Sequence, residues 1–151
     1  MGAAEADQAT VDLAFNLGNE IAKLDLAVLC GGGSGVMQAV AKGAKKANGL
    51  TIAILKGTSL KDTYINPYID IPIFTGMNDA RNYINVCSSN VVVAMTGRFG
   101  TLSEIALAKK IKKPVICFSA WQELKNFSAT DPLIYVENLN DCLTAIKRFV
   151  F

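Results

Sequence analysis

Two glycine-rich turns constrain the fold of this 151-residue chain more than any other feature. The first is Gly31-Gly32-Gly33-Ser34-Gly35 and the second is Gly97-Arg98-Phe99-Gly100-Thr101; each follows an apolar run and precedes a segment with helical spacing. A strand that ends in glycines and opens a helix exposes unpaired backbone amides at the positive end of the helix dipole, where phosphate binds. The pattern predicts an α/β domain that binds an anionic ligand.

Strand and helix signals alternate along the rest of the chain. Apolar runs predict strands at about 26–30, 51–55, 70–74, 91–95, 114–118 and 133–136. Helical spacing predicts helices at about 7–24, with Asp7 as the N-cap, and at 36–48, 79–88, 101–109 and 139–149. This order predicts a doubly wound, mostly parallel, Rossmann-like three-layer sandwich that forms one domain over residues 1–151. The long loop at 56–67 is interpreted as a functional flap.

Composition excludes several kinds of chemistry. The chain has no histidine, so Ser-His-Asp and Cys-His nucleophile systems and histidine-ligated metals are impossible, and no metal site is predicted. A net charge of +2 favours neither nucleic acid nor membrane as a partner, and the basic run at 109–113 is interpreted as a solvated helix end. Cys30 and Cys117 fall within apolar strands, which indicates reduced packing residues in a cytoplasmic protein.

Both glycine turns are predicted at the carboxyl ends of parallel strands, so they should face one crevice. Missing side chains let the amides of the first turn approach an anion, and Ser34 adds a hydroxyl donor. Glu104 lies about one helical turn after Thr101. Two interpretations of Glu104 stay open: a carboxylate that favours the helix N-terminus, or a catalytic group in the crevice. The turns could also be structural and hold no ligand.

The second turn carries a resemblance. Residues Thr96 to Glu104 resemble the PGGxGTxxE motif of the LOG (Lonely Guy) phosphoribohydrolases, historically labelled lysine decarboxylase-like, and of the related molybdenum-cofactor carrier proteins. The resemblance extends to 31–37 and 75–82, and so covers nearly the whole chain. The sequence around Gly76-Met77 and Arg81-Asn82 is more similar to the carrier-like branch.

The resemblance implies roles for particular residues. It assigns phosphate to Gly97, Gly100 and Thr101, and assigns cleavage of an N-glycosidic bond to Arg81 and Glu104. Thr96 and Arg98 stand where the motif has proline and its second glycine, which favours a carrier, whereas Glu104 and Thr101 favour an enzyme. The predicted ligand-binding set is Gly31, Gly32, Gly33, Ser34, Gly35, Asn82, Gly97, Arg98, Phe99, Gly100 and Thr101.

The sequence therefore predicts a protein that binds a nucleotide or another phosphorylated ligand, such as molybdenum cofactor. A phosphoribohydrolase acting on nucleoside 5′-monophosphates is the alternative. Pyridoxal-phosphate-dependent decarboxylation is disfavoured, because no lysine has a recognisable Schiff-base setting.

The resemblance also bears on assembly and on the first strand. It implies a homodimer or a dimer of dimers. Related proteins begin with an apolar strand and a small-residue loop in the middle of the sheet, whereas this sequence opens at Met1-Gly2-Ala3-Ala4. Either a strand lies upstream, or the sheet lacks a member and has lower stability unless a partner chain compensates.

Overall fold

A computed structural model describes residues 1–125 and 133–151 and confirms the alternation of strands and helices. The elements in these ranges are α1 (Gln8–Lys23), β1 (Val28–Cys30), α2 (Val36–Lys46), β2 (Thr51–Leu55), β3 (Ile71–Phe74), α3 (Arg81–Ser88), β4 (Val92–Ala94), α4 (Phe99–Lys110), β5 (Val115–Phe118), β6 (Ile134–Val136) and α5 (Leu139–Val150). Short 3-10 turns lie at Asn78–Ala80 and Gln122–Leu124.

The strands pair in parallel, with helices on both faces. Their described order is β1-β2-β3 in one three-stranded sheet and β4-β5-β6 in another. Ile116 and Phe118 of β5 pack on the side of α1, α2 and α5, while Val115 and Cys117 pack on the side of α3 and α4. The predicted three-layer parallel architecture is confirmed.

The sheet is interrupted at its centre, between β1 and β4. The described strands include none at this position, and residues 1–3 pair with the β4 edge instead. The Met1 ammonium donates to the carbonyl of Val93 at 2.6 Å, and the Met95 amide donates to the carbonyl of Met1 at 3.0 Å. The hydrogen-bond ladder of the described strands is thus broken between β1 and β4.

Local signals explain most element ends. Asp7 caps α1 by accepting from the Thr10 amide at 2.8 Å, as predicted. The structure ends α2 at Lys46, before Asn48, whose left-handed φ of 58° continues no helix. The helix predicted from residue 79 begins at Arg81 instead, because a 3-10 turn takes up the preceding residues.

Two glycines allow α1 and α2 to pack almost backbone to backbone. A Cβ atom on Gly18 would collide with the Val40 carbonyl, and one on Gly43 would collide with the Phe15 carbonyl. Asn19 Nδ2 donates across the contact to the Gly43 carbonyl at 3.3 Å. The pair of helices therefore tolerates no side chain at either glycine, and it forms one wall behind the first glycine turn.

Candidate ligand-binding site

A cavity of about 830 Å³ opens at the carboxyl ends of β1 and β4, so the two glycine turns face one crevice. The predicted site residues that line it are Gly31, Gly33, Ser34, Arg81, Asn82, Arg98, Gly100, Thr101 and Glu104. Four other members of the predicted set, Gly32, Gly35, Gly97 and Phe99, lie outside this lining. The sequence thus identified most of the wall that the two turns provide.

A buried asparagine that sequence reasoning missed holds the first turn in shape. Asn66 donates its amide N–H to the Gly32 carbonyl at 2.9 Å, and its Nδ2 reaches the carbonyls of Gly32 and Gly33 at 3.0 Å. Gly32 has a φ of 73°, a left-handed conformation that glycine adopts without strain. In the sequence, the pair Asn66-Pro67 indicated a loop, but it did not indicate that Asn66 contacts the first glycine turn.

The N-terminus of α2 is already occupied by the chain itself. The Val36 amide donates to the Ala3 carbonyl at 3.0 Å, and Ser34 Oγ donates to the Ala4 carbonyl at 2.9 Å. A Cβ atom on Gly35 would collide with these same carbonyls. From the sequence, the Ser34 hydroxyl was expected to donate to a ligand. In the structure this proton is donated to the Ala4 carbonyl instead, so towards a ligand Ser34 Oγ can act only as a hydrogen-bond acceptor.

The N-terminus of α4 has free helical amides. The first bond of its ladder runs from the Leu102 amide to the Arg98 carbonyl at 3.0 Å. The amides of Phe99, Gly100 and Thr101 precede this bond and have no partner within the helix. Thr101 is buried and packs where a Cβ atom on Gly97 would lie. Of the two turns, the second is thus the one whose helix end can receive an anion.

Arg81 places a buried positive charge in the same cavity. It is 7% exposed, and its guanidinium lies against Gly31, where an added Cβ atom would collide with it. Within the described residues, Arg81 Nε has no hydrogen-bond partner and the guanidinium makes no ion pair. A buried cation that makes no ion pair loses hydration free energy, and a bound anion would offset part of this loss.

Glu104 lies on the α4 wall of the cavity and is 8% exposed. Burial raises the pKa of its carboxyl, while the Met1 ammonium and the Arg81 guanidinium act in the opposite direction. Asn85, another residue that sequence reasoning missed, donates from Nδ2 to Glu104 Oε1 at 3.2 Å. The carboxyl thus has a fixed orientation in a poorly hydrated place.

Asn82 ties α3 to the second glycine turn. Its Nδ2 donates to Ser103 Oγ at 3.0 Å, and Ser103 Oγ donates to the Gly100 carbonyl at 2.7 Å. Asn82 is buried and lines the cavity, and its contact with a ligand stays a prediction. Through Ser103, Asn82 is therefore linked by hydrogen bonds to Gly100 of the second glycine turn.

The predicted flap forms one side of the cavity. Lys56, Gly57, Asp62, Thr63 and Tyr64 are among its lining residues. The Asp62 carboxylate accepts from the amides of Thr58 and Ser59 at 3.0 and 2.9 Å, and these bonds, with that from the Thr58 hydroxyl, hold the Asp62 pKa far below its usual range. The part of the flap from Thr58 to Asp62 is thus a turn stabilised by hydrogen bonds to the Asp62 carboxylate.

The sequence profile of the SLOG cluster4 family matches residues 1–143. The chain belongs to the SLOG cluster4 family. This finding and the structures below confirm the resemblance to the carrier-like branch of the LOG superfamily.

Two solved structures similar to this SLOG cluster4 chain are molybdenum-cofactor proteins. One is the molybdenum cofactor binding protein of the phototrophic bacterium Rippkaea orientalis, with 38% identity, a TM-score of 0.89, and coverage of 97% of this chain and 91% of that one. The other is the molybdenum cofactor carrier protein of Chlamydomonas reinhardtii, with 36% identity, a TM-score of 0.87, and coverage of 99% and 95%. An uncharacterized Archaeoglobus fulgidus protein is 44% identical over 115 residues, which is 76% of this chain and 74% of that protein.

Two further observations concern the described part of this SLOG cluster4 chain. It contains no group of three or more His, Cys, Asp or Glu side chains placed to hold a metal ion. None of its helices is long and apolar enough to cross a membrane.

The raised pKa of Glu104 predicts a pH-dependent stability. The folded chain binds this proton more tightly than the unfolded chain, so Glu104 favours folding below its ordinary pKa of 4.5 and loses that contribution as pH rises through its folded-state pKa. We expect Glu104→Gln to melt at a higher Tm than the native protein at about pH 8, with a gain that shrinks towards about pH 4. Glu5→Gln, at an exposed carboxyl, is the control. A gain that stays constant across this range would contradict the assignment.

Proposed function

We propose that this protein binds a phosphorylated ligand of the molybdenum-cofactor type and carries it without chemical change. The observation that supports this most directly is Arg81, a buried guanidinium that makes no ion pair in the described structure and lines the same cavity as the free amides of α4. The names of the similar structures support the choice of cargo.

The residues present fit such a cargo. A phosphate placed at the start of α4 would accept from the amides of Gly100 and Thr101 and pair with the Arg81 guanidinium. Glu104 and Asn85 offer an oriented carboxyl and amide, the groups that recognise the N–H and carbonyl edges of a heterocycle. A cavity of about 830 Å³ is within the usual size range of small-molecule sites.

Cofactor retention tests this proposal. The purified protein is mixed with molybdenum cofactor released from a donor enzyme and then desalted. Molybdenum is measured by mass spectrometry and the pterin by the fluorescence of its oxidised derivative. We expect about one equivalent of each to stay with the folded protein, because a single cavity joins both turns. Loss of both to the level of an unrelated protein of equal size would overturn the carrier proposal.

A phosphoribohydrolase is the second candidate, and Glu104 is the observation that favours it. A buried carboxyl one turn from the predicted phosphate position can stabilise positive charge at the anomeric carbon or orient a water. Water would attack that carbon, the C–N bond would break, and the base would leave with the bonding electrons and take up a proton.

Product release distinguishes the two candidates. A panel of nucleoside 5′-monophosphates is incubated with the native protein and with Glu104→Ala, and free base and ribose 5-phosphate are measured. If the protein is an enzyme, release occurs with the native protein and disappears in the variant. Absence of release from a folded native protein removes this candidate and leaves the carrier proposal intact.

The assembly and location that we propose are a homodimer, or a dimer of dimers, in the cytoplasm. Exposed apolar side chains support association, since Phe99 and Phe151 are 85% and 82% exposed. We propose a small phosphorylated molecule, and neither nucleic acid nor membrane, as the binding partner.

A further inference from the structure

Two buried polar atoms on α3 have no hydrogen-bond partner among the described residues, and both belong to side chains that line the ligand cavity. They are Nε of Arg81, which is a donor, and Oδ1 of Asn85, which is an acceptor. Asn85 is 6% exposed, close to the value for Arg81, so both atoms are largely withdrawn from bulk water. The α3 wall therefore presents an unused donor and an unused acceptor to the cavity.

The two side chains lie on one face of α3. Arg81 and Asn85 are four residues apart in this helix, a spacing that makes side chains neighbours on the helix surface. The Asn85 amide is oriented by Glu104, because its Nδ2 donates to Glu104 Oε1 at 3.2 Å. A flipped amide would place Oδ1 against the Glu104 carboxylate, and two acceptors would then repel each other. The contact with Glu104 thus leaves Oδ1 as the free atom of the Asn85 amide.

This pair of atoms selects the chemistry of its occupant. A phosphate or carboxylate oxygen would accept from Arg81 Nε but would place a second acceptor beside the Asn85 oxygen. An ammonium group would donate to Asn85 but would lie beside the guanidinium charge. An apolar group would leave both polar atoms unpaired in a buried place. A hydroxyl group satisfies both atoms, because it accepts from Arg81 Nε and donates to Asn85 Oδ1.

The proposed phosphate position restricts the ligand further. Asn85 is bonded to Glu104, which lies about 6 Å along α4 from Gly100, where phosphate is proposed to bind. A ring amide also carries a donor and an acceptor side by side, but in a nucleotide the sugar separates it from the phosphate. A hydroxyl of the phosphorylated sugar itself lies at the shorter distance. The terminal nitrogens of Arg81, which lie against Gly31, stay free for the phosphate.

We propose that Arg81 Nε and Asn85 Oδ1 form a hydroxyl subsite beside the phosphate position, and that the ligand carries a sugar phosphate of the ribose 5-phosphate kind. Asn85 is then a specificity-determining residue that recognises one sugar hydroxyl. This inference rests on the phosphate position proposed above. It depends neither on the rest of the cargo nor on cleavage of the ligand.

Four probes test the subsite on the native protein by isothermal titration calorimetry. They are ribose 5-phosphate, 2-deoxyribose 5-phosphate, 3-deoxyribose 5-phosphate and inorganic phosphate, none of which has an N-glycosidic bond to cleave. We expect one of the two deoxy sugars to bind about 10-fold more weakly than ribose 5-phosphate, because the missing hydroxyl leaves two buried atoms unpaired. The other deoxy sugar should bind within about twofold of ribose 5-phosphate, since its change lies outside the subsite.

Asn85→Leu assigns the discrimination to this residue. The variant should bind ribose 5-phosphate about 10-fold more weakly than the native protein does, but should bind the discriminated deoxy sugar within about twofold of the native value. Asn140→Leu makes the same change at an exposed position on α5 and should leave every affinity unchanged. Thermal melting verifies that both variants fold.

The possible results separate the subsite from the phosphate position. Equal binding of the three sugars to the native protein would overturn the subsite, and binding of inorganic phosphate would then leave the phosphate position intact. A loss of equal size for all three sugars in Asn85→Leu would also overturn it, since Asn85 would then act only through the fold. Absence of binding by all four probes would overturn both the subsite and the phosphate position.

Discussion

Under the proposed function, Arg81→Met is expected to weaken the binding of molybdenum cofactor about 100-fold, or by about 3 kcal/mol, while raising the Tm of the ligand-free protein. Arg81 is 7% exposed and makes no ion pair in the described structure, so no contacting carboxylate offsets the hydration that its guanidinium loses in the empty site. Methionine retains much of the volume and removes the desolvated charge. Binding is measured by pterin fluorescence, and stability is measured by thermal melting without ligand.

The opposite signs of these two effects distinguish a ligand-binding arginine from a structural one. Arg148→Met removes the same charge from an exposed position on α5 and should leave both quantities unchanged. Gly31→Ala keeps the charge but places a Cβ atom where the guanidinium lies, and it should also weaken binding. A variant Arg81→Met that melts at a lower Tm and binds normally would show that the guanidinium serves the fold alone.

Gly43→Ala is expected to destabilise the protein by about 2 kcal/mol, although alanine is the better helix former. The new Cβ atom would collide with the Phe15 carbonyl, a backbone group that cannot rotate away. The two helices would have to separate, with loss of the Asn19 hydrogen bond to the Gly43 carbonyl. We expect Tm to fall by about 4–8 °C in thermal melts followed by circular dichroism.

Gly100→Ala is the matched control for this packing effect. Gly100 also lies within a helix, but an added Cβ atom there would have no heavy atom within 4 Å apart from its chain neighbours and the nearby backbone of its own helix. The same chemical change should therefore leave Tm unchanged or raise it slightly. Similar losses in both variants would indicate that backbone freedom, and not helix contact, decides the stability at Gly43.

Local signals were sufficient to predict most of the fold. All four residues of β5, Val115–Phe118, are buried, and a strand buried on both faces reads as an unbroken apolar run. The predicted strand is two residues too long at the start of β1 and one residue too long at each end of β4, because apolar character extends beyond the paired residues. The break between β1 and β4 was expected only from the resemblance, because local patterns describe single elements and not the gap between two sheets.

Glycines and charged residues in the sequence point to part of the cavity wall, whereas single polar residues that act at long range give no such signal. Arg81, Thr101 and Glu104 line the cavity, and their roles towards a ligand stay predictions. Asn66 and Asn85 carry no periodic or motif signal, and their importance depends on partners 34 and 19 residues away. Ser34 was expected to donate to a ligand, but its hydroxyl donates to the Ala4 carbonyl. No local sequence pattern predicts that these two residues lie side by side.

The interrupted ladder gives the ligand a mechanical role. The first glycine turn belongs to the half-sheet β1-β2-β3 and the second to β4-β5-β6, and no strand hydrogen bonds join these halves in the described residues. A ligand that contacts both turns therefore links the two halves. Each tenfold increase of the free ligand concentration above its Kd adds about 1.4 kcal/mol to the free energy of unfolding. Ligand binding should then change how cooperatively the two halves unfold: we expect the ligand-bound protein to melt in one transition, and the ligand-free protein to separate first between β1 and β4.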